Sequence, residues 1–323
     1  MFNFRFFQTV VMVLACLAAP LTWAQTAYPE KPIRIVVPYP AGGATDTAVR
    51  TYLEHLPALL GQQILVEYRV GGGTNIGAAF VAQAEPDGYI LYVANFASNA
   101  VNKWLYRKLS YDPDRDFAAA AMLTVSPQFL VVHPSVPARS VKDMVALAKQ
   151  SPGKLSYGSP GIGSPNHIAA ELFRTQTGIK AVHVPYKGSA ASSVGLLSGE
   201  TDYIFDATAM TFVHAGKLRV LAVAHSKRWP TEPTVPSMAE QGFPSVVVEP
   251  FFALVAPAKT PVAILQKIND ATRTVAQRPD VAKKLAPIGL IPVAYTLKET
   301  ADFLREQGSK WASVVKASGA VVD

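Results

Sequence analysis

Apolar positions along the chain alternate between two spacings. Ile33–Val37 is apolar except for Arg34 and reads as a strand covered on both faces, as in a parallel sheet. Beyond residues 38–46, Ala48, Val49, Tyr52, Leu53, Leu56 and Leu60 fall at helical spacing. Residues 63–68 predict a second strand, 76–83 a helix and 89–94 a third strand, with Glu85-Pro86-Asp87-Gly88 as the turn between the last two. A long apolar run over 122–132 contains Pro127 and ends at His133-Pro134. A helix capped by Ser140 follows over 141–150, then a short strand at 155–157, a helix over 168–177 and a strand ending at His183-Val184-Pro185. A small-residue helix over 189–197 and strands over 202–205 and 218–224 complete this middle section. A second long apolar run covers 246–256, and the chain finishes in amphipathic helices over 262–276, 281–286 and 297–316. Strands alternating with helices place the chain in the α/β class. The two long runs bracket the middle section, which predicts a discontinuous first domain (25–125 and 250–323) interrupted by a second (126–249). Two hinge-crossing strands would join them, with the terminal helices as a carapace on the first.

Polar loops recur where strands end and helices begin. Pro38-Tyr39-Pro40-Ala41-Gly42-Gly43-Ala44-Thr45-Asp46 combines turn residues with cap residues. Free N–H groups and the positive end of the helix dipole there suit a small anion. The same nine residues also fit a plain strand-to-helix turn with Asp46 as its cap. Asn95-Phe96-Ala97-Ser98-Asn99 is a second such loop, with Ser98 or Asn99 expected to cap a short helix. The stretch from Gly158 to His167 is a third, the richest in glycine and serine, and mirrors the first.

Composition narrows the partners. The net charge of +7 becomes +6 once Arg5 is removed with a leader, and the basic residues are scattered rather than interleaved with aromatics. Nucleic acid is therefore not expected, and a mild positive field favours anionic ligands. Residues 1–24 have a basic start, an apolar stretch and Thr22-Trp23-Ala24 before Gln25, the pattern of a cleaved signal peptide directing export to the periplasm. A rival reading makes Val13-Leu14-Ala15-Cys16 a lipoprotein box, but Leu14 fits imperfectly and the apolar run continues past Cys16. Cys16 is the single cysteine, so the chain from Gln25 has neither disulfide nor thiolate. No G-x-x-x-x-G-K-[ST] occurs, and Ile76 breaks the G-x-G pattern begun at Gly71 and Gly73, so no nucleotide cofactor is expected. Six histidines show no metal-ligand spacing. The nearest nucleophile elbow, Ala191-Ser192-Ser193-Val194-Gly195, lacks its first glycine and falls in a helix, which argues against a secreted hydrolase.

Several stretches together resemble the periplasmic receptors of tripartite tricarboxylate transporters, the Bug receptors. They are Pro32-Ile33-Arg34-Ile35-Val36-Val37-Pro38-Tyr39 with Gly42-Gly43 and Asp46, Gly72-Gly73 with Ile76-Gly77-Ala78, Pro86-Asp87-Gly88-Tyr89, and His167-Ile168-Ala169-Ala170-Glu171-Leu172-Phe173. Val184-Pro185-Tyr186-Lys187-Gly188, Phe205-Asp206, Gly216-Lys217-Leu218-Arg219 and Ala256-Pro257-Ala258 continue the match in the family's order. The resemblance implies a two-domain Venus-flytrap receptor, type II-like and monomeric. Such a receptor binds a small carboxylate in its interdomain cleft and presents it to membrane permease subunits, or, as an alternative, to a membrane histidine kinase. It is not an enzyme, and neither cofactor nor metal is implied. The family holds its ligand largely through backbone groups and water. The matching positions are Tyr39, Gly42, Gly43, Thr45 and Asp46 on one side, Ser159, Gly163, Ser164, Asn166 and His167 on the other, with Asp206 at the same cleft and Ser98 on the second polar loop. Ala41 stands where the family commonly has proline, and Asn75 also departs from its pattern. Asp46 reads as a loop-ordering cap rather than a carboxylate contact, since like charges repel, and Lys187 as a solvated rim residue.

Overall fold

The computed structural model describes residues 28–322; the leader and the Cys16 lipidation motif lie outside them. Strand β1 (Ile33–Val37) runs parallel to β2 (Ile64–Tyr68) and to β3 (Ile90–Asn95), with Ile35 opposite Val66 and Leu91. Strands β4 (Phe117–Val125) and β10 (Phe251–Pro257) join antiparallel, and β11 (Ile291–Pro292) closes the edge. The six-stranded order is β11-β4-β10-β3-β1-β2. A five-stranded sheet, β7-β6-β8-β5-β9, is built from β5 (Phe129–Val132), β6 (Ser156–Ser159), β7 (Val182–Pro185), β8 (Tyr203–Phe205) and β9 (Arg219–Val223). Each sheet is the centre of a lobe.

Helices α1 (Ala44–Leu53), α2 (Leu56–Leu60), α9 (Val262–Ala276) and α10 (Pro279–Leu285) cover one face of the first sheet. The cover is a dry cluster around Ile33, Ile35, Tyr52, Leu91, Leu254 and Ile268. Helix α3 (Asn75–Ala82) and the short α4 (Asn102–Leu105) lie between the first-lobe strands. The second lobe carries α5 (Val141–Gln150), α6 (Pro165–Thr177), α7 (Ser189–Leu197) and α8 (Met210–His214). As expected, Ser140 caps α5, its hydroxyl accepting from the Asp143 N–H at 3.1 Å.

The hydrophobic pattern overran four element ends, each for a local reason. The run 122–132 is two strands in different sheets, because Ser126-Pro127-Gln128 interrupts it and Pro127 has no N–H for a ladder. The run 246–256 is strand only from Phe251, directly after Pro250. Where the chain crosses, the Ser126 N–H donates to Pro250 O at 2.9 Å, so the two connecting segments are bonded side by side. The first helix splits before Leu56, with Pro57 at the start of α2. The terminal helix splits at Trp311 into α11 (Leu297–Lys310) and α12 (Ala312–Ser318). Trp311 is fully buried, edge-on to Phe96 with centroids 5.1 Å apart. As a result α12 does not stay on the first lobe as a carapace but also packs against α6 of the second.

Candidate functional site

A cleft of about 460 Å³ opens between the lobes. Its first-lobe wall comes from the loop after β1, the glycine loop after β2 and the end of β3. Its second-lobe wall is the loop after β6, residues 160–165, and the crossing segments supply Ser126, Pro250, Phe251 and Phe252 at its back. Among the described residues, no acidic, basic or histidine side chain lines it.

The β1–α1 loop is organised by Asp46. Its buried carboxylate accepts from the Gly42 N–H at 2.8 Å, the Tyr68 hydroxyl at 2.6 Å and Arg50 Nε at 3.0 Å. Burial opposes the charge, but these three donors outweigh it and hold the Asp46 carboxyl below the ordinary carboxylate range. Helix α1 begins after Gly43 without a side-chain cap. Its first N–H groups are thus without a side-chain acceptor; Thr45 reaches the cleft wall, while Gly42 and Ala44 face the neighbouring cavity. Tyr39 also lines the cleft, and burial pushes its hydroxyl up to about 12, so it stays a neutral donor.

On the second lobe the loop is tied down from behind. The Ser164 hydroxyl caps α6, accepting from the His167 N–H at 3.2 Å, with Pro165 at the first helical position. His167 Nδ1 accepts from the Gly163 N–H at 3.3 Å, and the Ser159 hydroxyl meets His183 Nε2 at 2.7 Å. The two imidazoles lie 4.4 Å apart, and both stack on Tyr157. Tyr157 donates to Glu171, which also pairs with Arg174. Asp206, 3% exposed, accepts from the Thr208 N–H and hydroxyl, each at 2.7 Å, and from Asn166 Nδ2 at 2.9 Å. Burial pushes its carboxyl up against those donors.

Of the twelve positions expected at the site, Tyr39, Thr45, Gly163 and Ser164 line the cleft. Gly42 faces a separate cavity beside it, with Ala207 and Thr208. Gly43 and Asp46 shape the first loop from within, while Ser159, Asn166, His167 and Asp206 stand behind the second-lobe wall, bonded as described. Ser98 is fully buried in the loop after β3. The expected cap there is instead Asn95, whose Oδ1 accepts from the Ala97 and Ser98 N–H groups. Lys187 is exposed and away from the lining. Ser192 and Ser193 are buried inside α7. Sequence reasoning named loops that line the cleft but not Thr74, Asn95, Val70 and Ile162, which line it too. A polar residue at a strand's end was the available signal for Asn95; nothing in the pattern separated the others.

Burial pushes His167 down to about 4, with His183 adding to the effect, and burial also lowers His183. Below the ordinary histidine value of about 6.5 the unfolded chain takes up a proton at this position that the folded chain refuses until about pH 4. Stability should therefore fall as pH drops from about 6.5 towards 4, and this contribution should level off below that. Glu171 and Arg174 face the pair and act in opposite directions on it. Urea midpoints measured across this window check the expectation, and His167→Gln should flatten the slope.

Two α/β lobes joined by paired crossings around a cleft define a bilobal binding protein. The family model described as tripartite tricarboxylate transporter family receptor matches residues 48–320, and the chain belongs to that family of solute-binding receptors. It is 33% identical to Protein BugT of Bordetella pertussis over 314 residues, 96% of this chain and 96% of the relative. The solved structure of R. palustris Rpa4515 with adipate superposes with a TM-score of 0.76 at 32% identity, covering 91% of this chain and 99% of that one. MatC (Rpa3494) from Rhodopseudomonas palustris with bound malate gives 0.73 at 30% identity, covering 89% and 100%. The fold is accordingly the two-domain fold of periplasmic binding proteins.

Proposed function

We propose that this receptor binds one small carboxylate in the interlobe cleft and delivers it to the membrane subunits of a tripartite tricarboxylate-type transporter. The observation that carries the reading is a cleft whose first-lobe wall offers the neutral polar side chains of Tyr39, Thr45, Thr74 and Asn95 and, among the described residues, no charged side chain. A carboxylate there is held by neutral donors, so no arginine is required. Tyr39, Gly42, Gly43 and Thr45 with the Asp46-ordered loop form one jaw, and Gly163 and Ser164, supported by Ser159, Asn166, His167 and Asp206, form the other. The relatives whose solved structures hold adipate and malate support the ligand class. We read residues 25–125 and 250–323 as one domain and 126–249 as the other, hinged at the two crossings, with export to the periplasm by a signal peptide cleaved before Gln25. The receptor acts as a monomer.

The test is a thermal-shift screen of residues 25–323, unfolded and refolded to remove retained ligand. The panel holds citrate, succinate, malate, aspartate, glutamate, nicotinate and small aromatic and aliphatic acids, with sugars and amines as controls. A true ligand at 100 times its Kd adds ~2.7 kcal/mol, which should raise Tm by roughly 5 °C. Flat curves for every carboxylate, or a hit confined to sugars or amines, would overturn the reading.

A further inference from the structure

The cleft's polar groups are unevenly divided between its two walls. On the first-lobe wall, Thr74 is 4% exposed and Asn95 2%, yet Thr74 Oγ1 and Asn95 Nδ2 have no hydrogen-bond partner. The orientation of the Asn95 amide is fixed by its neighbours, since Oδ1 accepts from the Ala97 N–H at 2.9 Å and the Ser98 N–H at 3.1 Å. A flipped amide would set donors against donors, so the unpartnered group is the NH₂. The Tyr92 hydroxyl lies beside both residues; its hydrogen goes to Thr74 O at 3.3 Å, and its oxygen is a poorly placed acceptor for their two donors. Thr74 is also the one non-glycine residue with positive φ among the described residues, at 82°. A β-branched side chain in that region is strained, and such strain concentrates at ligand sites. Buried donors without a partner are costly and call for an acceptor.

The opposite wall has little to donate. The Gly161 N–H is bonded to Ser159 Oγ, the Gly163 N–H to His167 Nδ1 and the Ser164 N–H to Gly161 O. The Ser164 hydroxyl is itself engaged, donating to Gly161 O at 2.7 Å. What this loop presents to the cleft is Pro160, Ile162 and Pro165. Ile162 is 55% exposed and Val70, across the cleft, 48%, so each jaw holds out a large apolar side chain.

Building on the carboxylate reading above, we propose that the site takes a monocarboxylate with an apolar body. Its carboxylate accepts from Thr74 Oγ1 and Asn95 Nδ2, and its hydrocarbon part lies between Val70 and Ile162, against Phe252. A second carboxylate at the far end would meet Pro160, Ile162 and Pro165 on a loop whose Gly161, Gly163 and Ser164 N–H groups are already bonded, and the site disfavours it for that reason.

Calorimetric titration of refolded residues 25–323 with matched acids tests this: hexanoate against adipate, and benzoate against terephthalate. The monoacid of at least one pair should bind about tenfold or more tightly than its diacid. Thr74→Val keeps the shape and removes only the donor, and should weaken that monoacid about tenfold with Tm unchanged. Asn95→Asp keeps the oxygen that caps the loop but exchanges the donor for a negative charge, and should weaken it further. A diacid binding as tightly as its monoacid overturns the apolar-body assignment. Unchanged affinity in both variants overturns the anchor. Failure of all four acids to bind overturns the proposal as a whole; a hit elsewhere in the wider carboxylate panel would then leave the receptor reading standing, and a flat panel would remove that too.

Discussion

Arg174→Met is expected to destabilise the second lobe strongly. Arg174 pairs with Glu171, whose side chain is 3% exposed while that of Arg174 is 29% exposed. Once the guanidinium is gone, Glu171 keeps the Tyr157 hydroxyl as a donor but loses its counter-charge. Removing one partner of a buried pair costs more than the pair was worth, because the stranded charge must be solvated or neutralised. The partial exposure of Arg174 puts the loss at the low end of the usual range, about 3 kcal/mol, or roughly 5–10 °C in Tm. Denaturant unfolding checks the size of the loss. Wild-type stability in the variant would show that water replaces the guanidinium at Glu171 without cost.

Gly163→Val is expected to leave each lobe folded and to weaken carboxylate binding about a hundredfold. Gly163 has φ of +78°, and a Cβ there would stand 2.6 Å from Leu105 Cδ2 on the facing lobe. A β-branched residue resists that backbone region. Leu105 is itself 3% exposed and packed, so the space open to it is the cleft that the ligand needs. The added methyls act as a wedge between the jaws, and a ligand that must touch both loses the closed state. Calorimetry measures the loss and near-ultraviolet circular dichroism checks the fold. Wild-type affinity in the variant would show that the lobes need not approach at this point.

The α/β alternation was legible because the buried strands are short apolar runs bounded by loops, as Ile33–Val37 and Ile90–Asn95 illustrate. What periodicity could not show was where a continuous apolar run changes sheet. Residues 122–132 are buried on both sides of the Ser126-Pro127-Gln128 break, so hydrophobicity is blind to it and only Pro127 marks it. The split at Trp311 was hidden in the same way, since a buried tryptophan fits a continuous amphipathic helix as well as a joint between two. Site loops were legible from glycine, serine and proline, but their individual side chains were not. Asn166 and His167 look like ligand groups in sequence, and the structure turns each to a neighbouring loop or strand instead, while Asp46 orders its own loop as its position implied. Thr74 and Asn95 could be picked out only once the partners of every surrounding donor had been counted. Both the satisfied and the unsatisfied groups depend on contacts between loops far apart in sequence, which local pattern does not encode.

The most direct test of the interlobe carboxylate site is a crystal structure of refolded residues 25–323 grown with the tightest acid found by titration. The account predicts that acid in the cleft between the loop after β1 and residues 160–165, with its carboxylate on neutral donors of the first lobe and no charged side chain in contact. Ligand density on the outer surface, or in the neighbouring cavity lined by Gly42 and Thr208, would contradict it.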